Sequence, residues 1–430
     1  MHVYAIPHDG AYIVYRPLLR LAFTANAALV NRLAESGSTA PAGGMVGRFL
    51  DEVGYNVPDP EPPVSDPSPG PPVRAVLFLT DSCNLSCVYC YAGGGGGRAR
   101  MSRSTAVAAV DVVADNARRT GAGRFHLQMH GGGEPTVAWR RLVEAVEHAR
   151  SRTIPCEVSV ATNGWLEPSR ARWLAKNADW VSLSMDGVPC VQDAQRPTRS
   201  GGPTHQRVLE FAAELDRAGT PYGIRMTVTP DSVDRLADGV RHVSRATGCR
   251  IVQAEPAHDA PDAGGSRFVK AFLEAHDAGA ALGVFVYTSG ARPWVLADRF
   301  CSASSDALTV LPDGSLSLCY EVFGNDHPLA GKMVWGDLLP DGSIRERPGV
   351  RRACREAVAA RRRECVGCFC RWHCAGDCPA RWMGRESHAR CQVNREITTG
   401  LLLRYMQRGG GVWRGGPVAF GETEDCLGGR

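Results

Sequence analysis

Cys83, Cys87 and Cys90 stand in the run Thr80-Asp81-Ser82-Cys83-Asn84-Leu85-Ser86-Cys87-Val88-Tyr89-Cys90-Tyr91, a C-x3-C-x2-C spacing that follows the apolar segment 73–79. Three thiolates on one loop can take three irons of a 4Fe–4S cluster and leave the fourth iron open, where a ligand can be activated. The same residues also suit a partial zinc site, or small buried hydrophobes. A second set of cysteines lies near the C-terminus. Cys301 and Cys319 flank a hairpin pattern with Asp313-Gly314 at its turn. Cys365, Cys368, Cys374, Cys378 and Cys391 follow. Structural zinc is the rival reading there, because C-x2-C pairs are common in zinc ribbons.

Three polar motifs lie between the two sets. In His130-Gly131-Gly132-Gly133-Glu134-Pro135 the glycines let the backbone approach a ligand closely, and Glu134 can accept a hydrogen bond from an ammonium group. The same turn could simply end a strand. Thr162-Asn163-Gly164 reads as a turn, with Asn163 able to contact a ribose or a carboxylate. Ser182-Leu183-Ser184-Met185-Asp186-Gly187 precedes Asp193-Ala194-Gln195-Arg196-Pro197, in which Arg196 can pair bidentately with a carboxylate or form a surface ion pair.

Alternating strand and helix patterns must position these residues. Strands are predicted at 74–80, 125–130, 157–162, 180–185, 223–229 and 250–255, with helices at 102–119, 137–151, 203–218 and 265–281. Alternation of this kind means parallel strands with crossover helices, and six repeats suit a partial (β/α)6 barrel over 73–290. The cysteine loop then sits at the C-terminal end of the first strand, where such folds place their chemistry. Residues 1–56 read as a small α+β unit, with a hairpin at Asp9-Gly10, strands at 12–15 and 19–23 and a helix at 26–35. Half of residues 57–72 are proline, so that linker should be stiff and extended. A cysteine-rich domain is expected over 291–407, and a flexible glycine-rich tail over 408–430, which holds Cys426.

Composition narrows the function classes. A chain of 430 residues holds two or three domains. A formal charge of +4 leaves no electrostatic footprint for nucleic acid. No run of about 18 apolar residues suggests a membrane span, and the N-terminus lacks a signal-peptide pattern, so a cytoplasmic location is expected. Sixteen cysteines in a reducing compartment argue for metal or redox chemistry rather than disulfides. Cys156, Cys190 and Cys249 are expected in the core. The basic segment 351–363 reads as a helix with a solvated face, or as a docking patch for an acidic redox partner.

Taken together, the C-x3-C-x2-C loop, Gly-Gly-Glu-Pro, Ser-x-Asp-Gly and Asp-x-x-Arg-Pro resemble the radical S-adenosylmethionine (SAM) enzymes. The seven C-terminal cysteines resemble the SPASM domain of the peptide-maturing branch of that superfamily. The resemblance implies three 4Fe–4S clusters, one that binds SAM and two auxiliary. Cys83, Cys87 and Cys90 would hold the first. Cys365, Cys368, Cys374 and Cys391 would hold the outer auxiliary cluster, and Cys301, Cys319 and Cys378 the inner one. The inner cluster would keep an open iron, or take Cys354 or Cys370 as its fourth ligand. SAM would be held by Tyr89, Gly132, Gly133, Glu134, Pro135, Asn163, Ser184, Asp186 and Arg196, with Tyr89 near the adenine. Glu321 is the candidate general base and Tyr320 its competitor. In the sulfatase-maturating members the carboxylate stands one residue away from this offset, and one residue turns a strand side chain to the other face.

The implied activity is maturation of a ribosomally made precursor peptide, with a flavodoxin or ferredoxin as reductant. A 5′-deoxyadenosyl radical would abstract hydrogen, and a carbon–carbon or thioether side-chain cross-link would follow. Residues 1–56 could recognise the peptide by adding it to an open sheet edge, or could be a structural cap. The rivals are a radical SAM dehydrogenase of a protein serine or cysteine or of a small molecule, and a non-enzyme: an iron–sulfur electron carrier or zinc-binding interaction module.

Overall fold

A computed structural model describes residues 2–35, 44–64, 70–258, 265–301, 307–384 and 389–415. The N-terminal unit is an antiparallel meander of β1 (Tyr4–His8), β2 (Ala11–Arg16) and β3 (Leu21–Ala25), followed by helices Ala27–Glu35 and Gly44–Glu52. Asp9 and Gly10 both have positive φ, 44° and 75°, which gives the hairpin a primed turn whose twist matches its strands. Chain direction then changes at Arg16. Its guanidinium is fully buried, contacts the carbonyl oxygens of Tyr55 and Val57, and lies 2.6 Å from Asp59 Oδ1. The start of the proline-rich segment is therefore pinned to the small unit rather than free. Residues 65–69 of that segment lie outside the described residues.

The main sheet is built on β4 (Arg74–Phe78). A short antiparallel pair, β5 (Thr80–Ser82) and β6 (Gly96–Arg100), brackets the cysteine loop. Then come β7 (Phe125–His130), β8 (Cys156–Thr162), β9 (Trp180–Ser184), β10 (Tyr222–Val228) and β11 (Ile251–Pro256), each parallel to its neighbour. These are the six expected strands. Two further strands lengthen the sheet in parallel: β12 (Phe285–Tyr287) beside β11, and β13 (Ala307–Val310) beside β4. β13 is the first arm of the expected Asp313-Gly314 hairpin, and β14 (Ser315–Ser317), β15 (Val334–Leu338) and β16 (Ile344–Glu346) continue it antiparallel. The C-terminal region thus grows directly out of the barrel sheet.

Alternation along the strands explains the shape. In β8, Cys156 and Val158 are buried against the flanking helices, while Glu157, Ser159 and Ala161 face a central cavity. β7, β9 and β11 alternate in the same way. Residues of β4, β7, β8, β9, β10, β11 and β12 all line that one cavity, which a flat sheet could not do, so the sheet curls into a partial barrel. Each fully buried Val, Leu or Phe on the outer face contributes about 1.5–3 kcal/mol. Helix Arg103–Thr120 covers that face, capped by Ser102 Oγ accepting from the Thr105 amide at 3.0 Å and ended by Gly121 at φ 72°.

Two expectations change at the C-terminus. Helix Ala389–Arg408 is followed by a strand, β17 (Val412–Arg414), that pairs antiparallel with β3, where the glycine content had pointed to a flexible tail from 408. Trp413 is the reason: its ring packs on Tyr15 and Tyr405, with centroids 6.3 and 5.6 Å away. Residues 416–430, with Cys426, lie outside the described residues. The N-terminal sheet is ordered β1-β2-β3-β17, so β17 covers one edge and only β1 remains open. Pro7 interrupts that open edge, because proline offers no amide donor. Among the described residues, no helix is long and apolar enough to cross a membrane.

Candidate active site

The central cavity has a volume of about 580 Å³. Cys83, Cys87 and Cys90 all line it. Close backbone packing shapes their loop: the Cys83 amide donates to the Gly95 carbonyl at 3.2 Å, and the Glu134 amide to Ser82 O at 2.9 Å. A Cβ on Gly95 would overlap Cys83, and one on Gly133 would overlap the Ser82 carbonyl. Both positions therefore require glycine for close approach. Burial, with Glu134 nearby, pushes the Cys83 thiol up to about 12.

Three thiols on one loop line one cavity, a donor set that fits a 4Fe–4S cluster with one open iron.

Of the expected SAM contacts, Tyr89, Gly132, Gly133, Glu134, Asn163, Ser184 and Arg196 line the cavity, whereas Pro135 and Asp186 do not. Pro135 opens the short helix Pro135–Ala138, its fixed φ suited to a first helical position. Asp186 stands behind the wall as a hub. Its Oδ2 accepts from Tyr89 Oη (2.6 Å), Gln195 Nε2 (2.8 Å) and Arg196 Nε (3.0 Å), and its Oδ1 from the Thr227 amide (2.9 Å). Arg196 also lies over the Tyr89 ring, 5.2 Å from its centroid. Glu134 accepts from Thr136 Oγ1, Thr162 Oγ1 and the amides of Thr136 and Asn163 at 2.7–3.1 Å. Burial nevertheless raises its pKa. The Asn163 side-chain amide bonds Asn84 Oδ1 at 2.8 Å, which makes Asn163 a brace for the cysteine loop.

The same cavity is also lined by Cys301, Cys319, Cys378, Tyr320 and Glu321. Tyr320 packs against His130, centroids 4.7 Å apart. Glu321 Oε2 lies 2.7 Å from His258 Nε2. Burial, helped by Arg225, drops His130 to about 3, so it is neutral. The remaining cysteines fall into sets by their mutual influence. Cys301 raises the pKa values of Cys319 and Cys378, and Cys319 raises that of Cys378. Cys365, Cys368, Cys374 and Cys391 form a second group outside the cavity. Cys370 is buried beside this second group, its Sγ 3.8 Å from the Asn394 carbonyl and 3.5 Å from Thr398 Oγ1. Cys354 neighbours Cys301 and touches Met333 Sδ at 3.9 Å. Cys156 and Cys249 are buried, but Cys190, expected in the core, is exposed at the start of helix Pro189–Gln195.

Cavity residues that escaped the sequence reading include Arg225, His258 and Arg292. Arg225 lies mid-strand in β10 and His258 just beyond β11. A charged residue inside an otherwise apolar parallel strand, and a histidine past a strand's C-terminal end, are the signals that could have found them. The basic segment is helix Val350–Glu364, and four of its arginines brace neighbours: Arg351 pairs with Glu346, Arg352 with Glu356, Arg361 with Glu364 and Arg362 with Asp298, at 2.7–3.7 Å.

Comparison with known proteins agrees with this geometry. Residues 77–241 match the radical SAM superfamily. A cysteine-type anaerobic sulfatase-maturating enzyme of Clostridium perfringens is 29% identical over 188 residues, 41% of this chain and 47% of that protein. A PqqA peptide cyclase of Streptomyces rochei is 31% identical over 178 residues, 40% of this chain and 45% of that one. The chain thus spans about half the length of these curated relatives. The solved structure "Native anSMEcpe with bound AdoMet and Cp18Cys peptide" superposes with a TM-score of 0.61 at 18% identity, over 78% of this chain and 98% of that one, a likeness of fold. This chain carries a radical SAM domain, with a cysteine-rich C-terminal region on the fold of an anaerobic sulfatase-maturating enzyme.

Proposed function

We propose that this protein is a radical SAM maturase of a ribosomally made precursor peptide, and that it installs a carbon–carbon or thioether side-chain cross-link. The observation that carries this reading is that Cys83, Cys87 and Cys90 share one cavity with Cys301, Cys319 and Cys378. The peptide relatives named above support a peptide substrate. Cys83, Cys87 and Cys90 would hold a 4Fe–4S cluster, which would supply the electron for reductive cleavage of SAM. The chain's own residues supply placement and dryness. Glu134 receives the SAM ammonium group, and Arg196, fixed by Asp186, receives the carboxylate. Arg225 is a second guanidinium in the same lumen. Glu321, oriented by His258, accepts the substrate proton; Tyr320, packed on His130, is better placed to shape the wall. Cys370 belongs with the outer four, which leaves Cys354 or an open iron to complete the inner set. A flavodoxin or ferredoxin delivers electrons.

Anaerobic reconstitution with dithionite, SAM and the precursor peptide tests the reading. About twelve irons per chain, 5′-deoxyadenosine, and a peptide two hydrogens lighter whose fragment ions stop inside a ring are the expected outcome. The same mass loss with uninterrupted fragmentation would instead establish the serine or cysteine dehydrogenase. Zinc in place of iron would overturn both.

A further inference from the structure

Arg292 is a buried cation without a counter-ion. It follows β12 on the turn closed by the Thr288–Ala291 bridge and is 6% exposed. Among the described residues, no hydrogen bond or ion pair reaches its guanidinium, and its Nε is sealed from solvent without an acceptor. Glu255, which lines the same cavity, accepts instead from the Ser289 amide (2.6 Å) and Gln253 Nε2 (3.1 Å). Burying a charged group is unfavourable unless an opposite charge compensates it. Burial indeed pulls Arg292 below the ordinary guanidinium value, against the attraction of Tyr287, Glu255, Cys374 and Cys301. The last two are informative. Cys374 belongs to the outer cysteine group and Cys301 to the cavity group, and the packing sets Arg292 beside both: it lines the cavity with Cys301 and Cys378, while Gly290, two residues before it, abuts Asn394, whose Nδ2 donates to Cys374 Sγ at 3.4 Å. His373, beside it, is kept neutral by burial and by Arg292 itself, with its Nε2 3.1 Å from Thr398 Oγ1.

We propose that Arg292 is the shared counter-cation of two auxiliary iron–sulfur clusters, one held by the Cys301 group and one by the Cys374 group, and that it sets their reduction potentials. The inference rests on the ligand assignment proposed above. A 4Fe–4S cluster ligated by thiolates is anionic, and more so when reduced, so a fixed positive charge favours the reduced form and raises the potential. Placed between two clusters, it also screens their mutual repulsion when both are reduced.

The test is a redox titration followed by electron paramagnetic resonance, with Cys83, Cys87 and Cys90 replaced by alanine so that only C-terminal clusters give signals. On that background R292Q is expected to retain the irons and to shift both auxiliary potentials downward, while R292K holds them near the parent values. Full iron with unchanged potentials in R292Q overturns the proposal alone. So does a raised KM for the peptide in the cysteine-intact R292Q enzyme without a potential shift, which would make Arg292 a substrate-carboxylate site. A parent protein with no C-terminal iron overturns the ligand assignment and this inference together.

Discussion

Individual residues in this site act through close approach and shared hydrogen bonds more than through charge alone. Gly133 shows this most directly, because the backbone of Ser82 occupies the space its side chain would need. G133A should push the cysteine loop off its seat, and the reconstituted variant should lose about four irons and all SAM cleavage, while the C-terminal irons remain. Iron analysis with 5′-deoxyadenosine assay checks this; full loading and normal cleavage would show that the loop tolerates the shift. The residues legible in the sequence were those tied together by spacing. Cys83, Cys87, Cys90, Gly132, Gly133 and Glu134 announce themselves because one short loop must present several groups at once. Asp186 was legible as part of a motif but not in its role, since a hub serving Tyr89, Gln195, Arg196 and Thr227 exists only after four segments meet. Arg225, His258 and Arg292 have no motif partner nearby in sequence, and only the curl of the sheet brings them to one cavity.

At the level of elements, the six strands β4 and β7–β11 were readable because each is a long apolar or alternating run followed by a helical period. Of the other strands, the β13–β14 hairpin was legible from its Asp313-Gly314 turn, but β12 and β17 have three residues each, too short for any periodicity, and their strandedness comes from partners far along the chain. β17 is the extreme case, joining residues 412–414 to 21–23. What holds so short a strand is Trp413, largely buried between Tyr15 and Tyr405. Replacing it with alanine removes a buried aromatic, at a cost of about 3–5 kcal/mol. The loss should be local: amide exchange in β3 should accelerate as its outer hydrogen bonds open, while the β1–β2 ladder stays protected. Uniform acceleration across the N-terminal sheet would mean that β17 anchors the whole unit, and no change would mean that backbone pairing suffices without the ring.

Across the whole molecule the cysteine groups divide between the cavity and the region outside it. The first set and the Cys301 group share the cavity, whereas Cys365, Cys368, Cys374 and Cys391 lie outside it, on the side where the N-terminal unit rests. Tyr4 Oη donates to the Val366 carbonyl at 3.4 Å, the Tyr4 ring meets Phe369, and His2 meets Trp372. This packing, with β17 on one edge of the small sheet and Pro7 in the other, favours a cap over the outer cysteines rather than a strand-addition site for the peptide. On the proposed ligand assignment an outer cluster would lie outside the cavity that receives substrate and would serve to carry an electron away from it. Replacing Cys365, Cys368, Cys374 and Cys391 together by alanine should therefore remove about four irons without stopping SAM cleavage. The peptide should then fail to lose its two hydrogens, because the substrate radical has no acceptor for its second electron. With a peptide deuterated at the reacting carbon, label should still reach 5′-deoxyadenosine, placing the block after hydrogen abstraction. If oxidised peptide forms at the parent rate, the outer group serves structure alone; if SAM cleavage also stops, it feeds electrons inward rather than carrying them out.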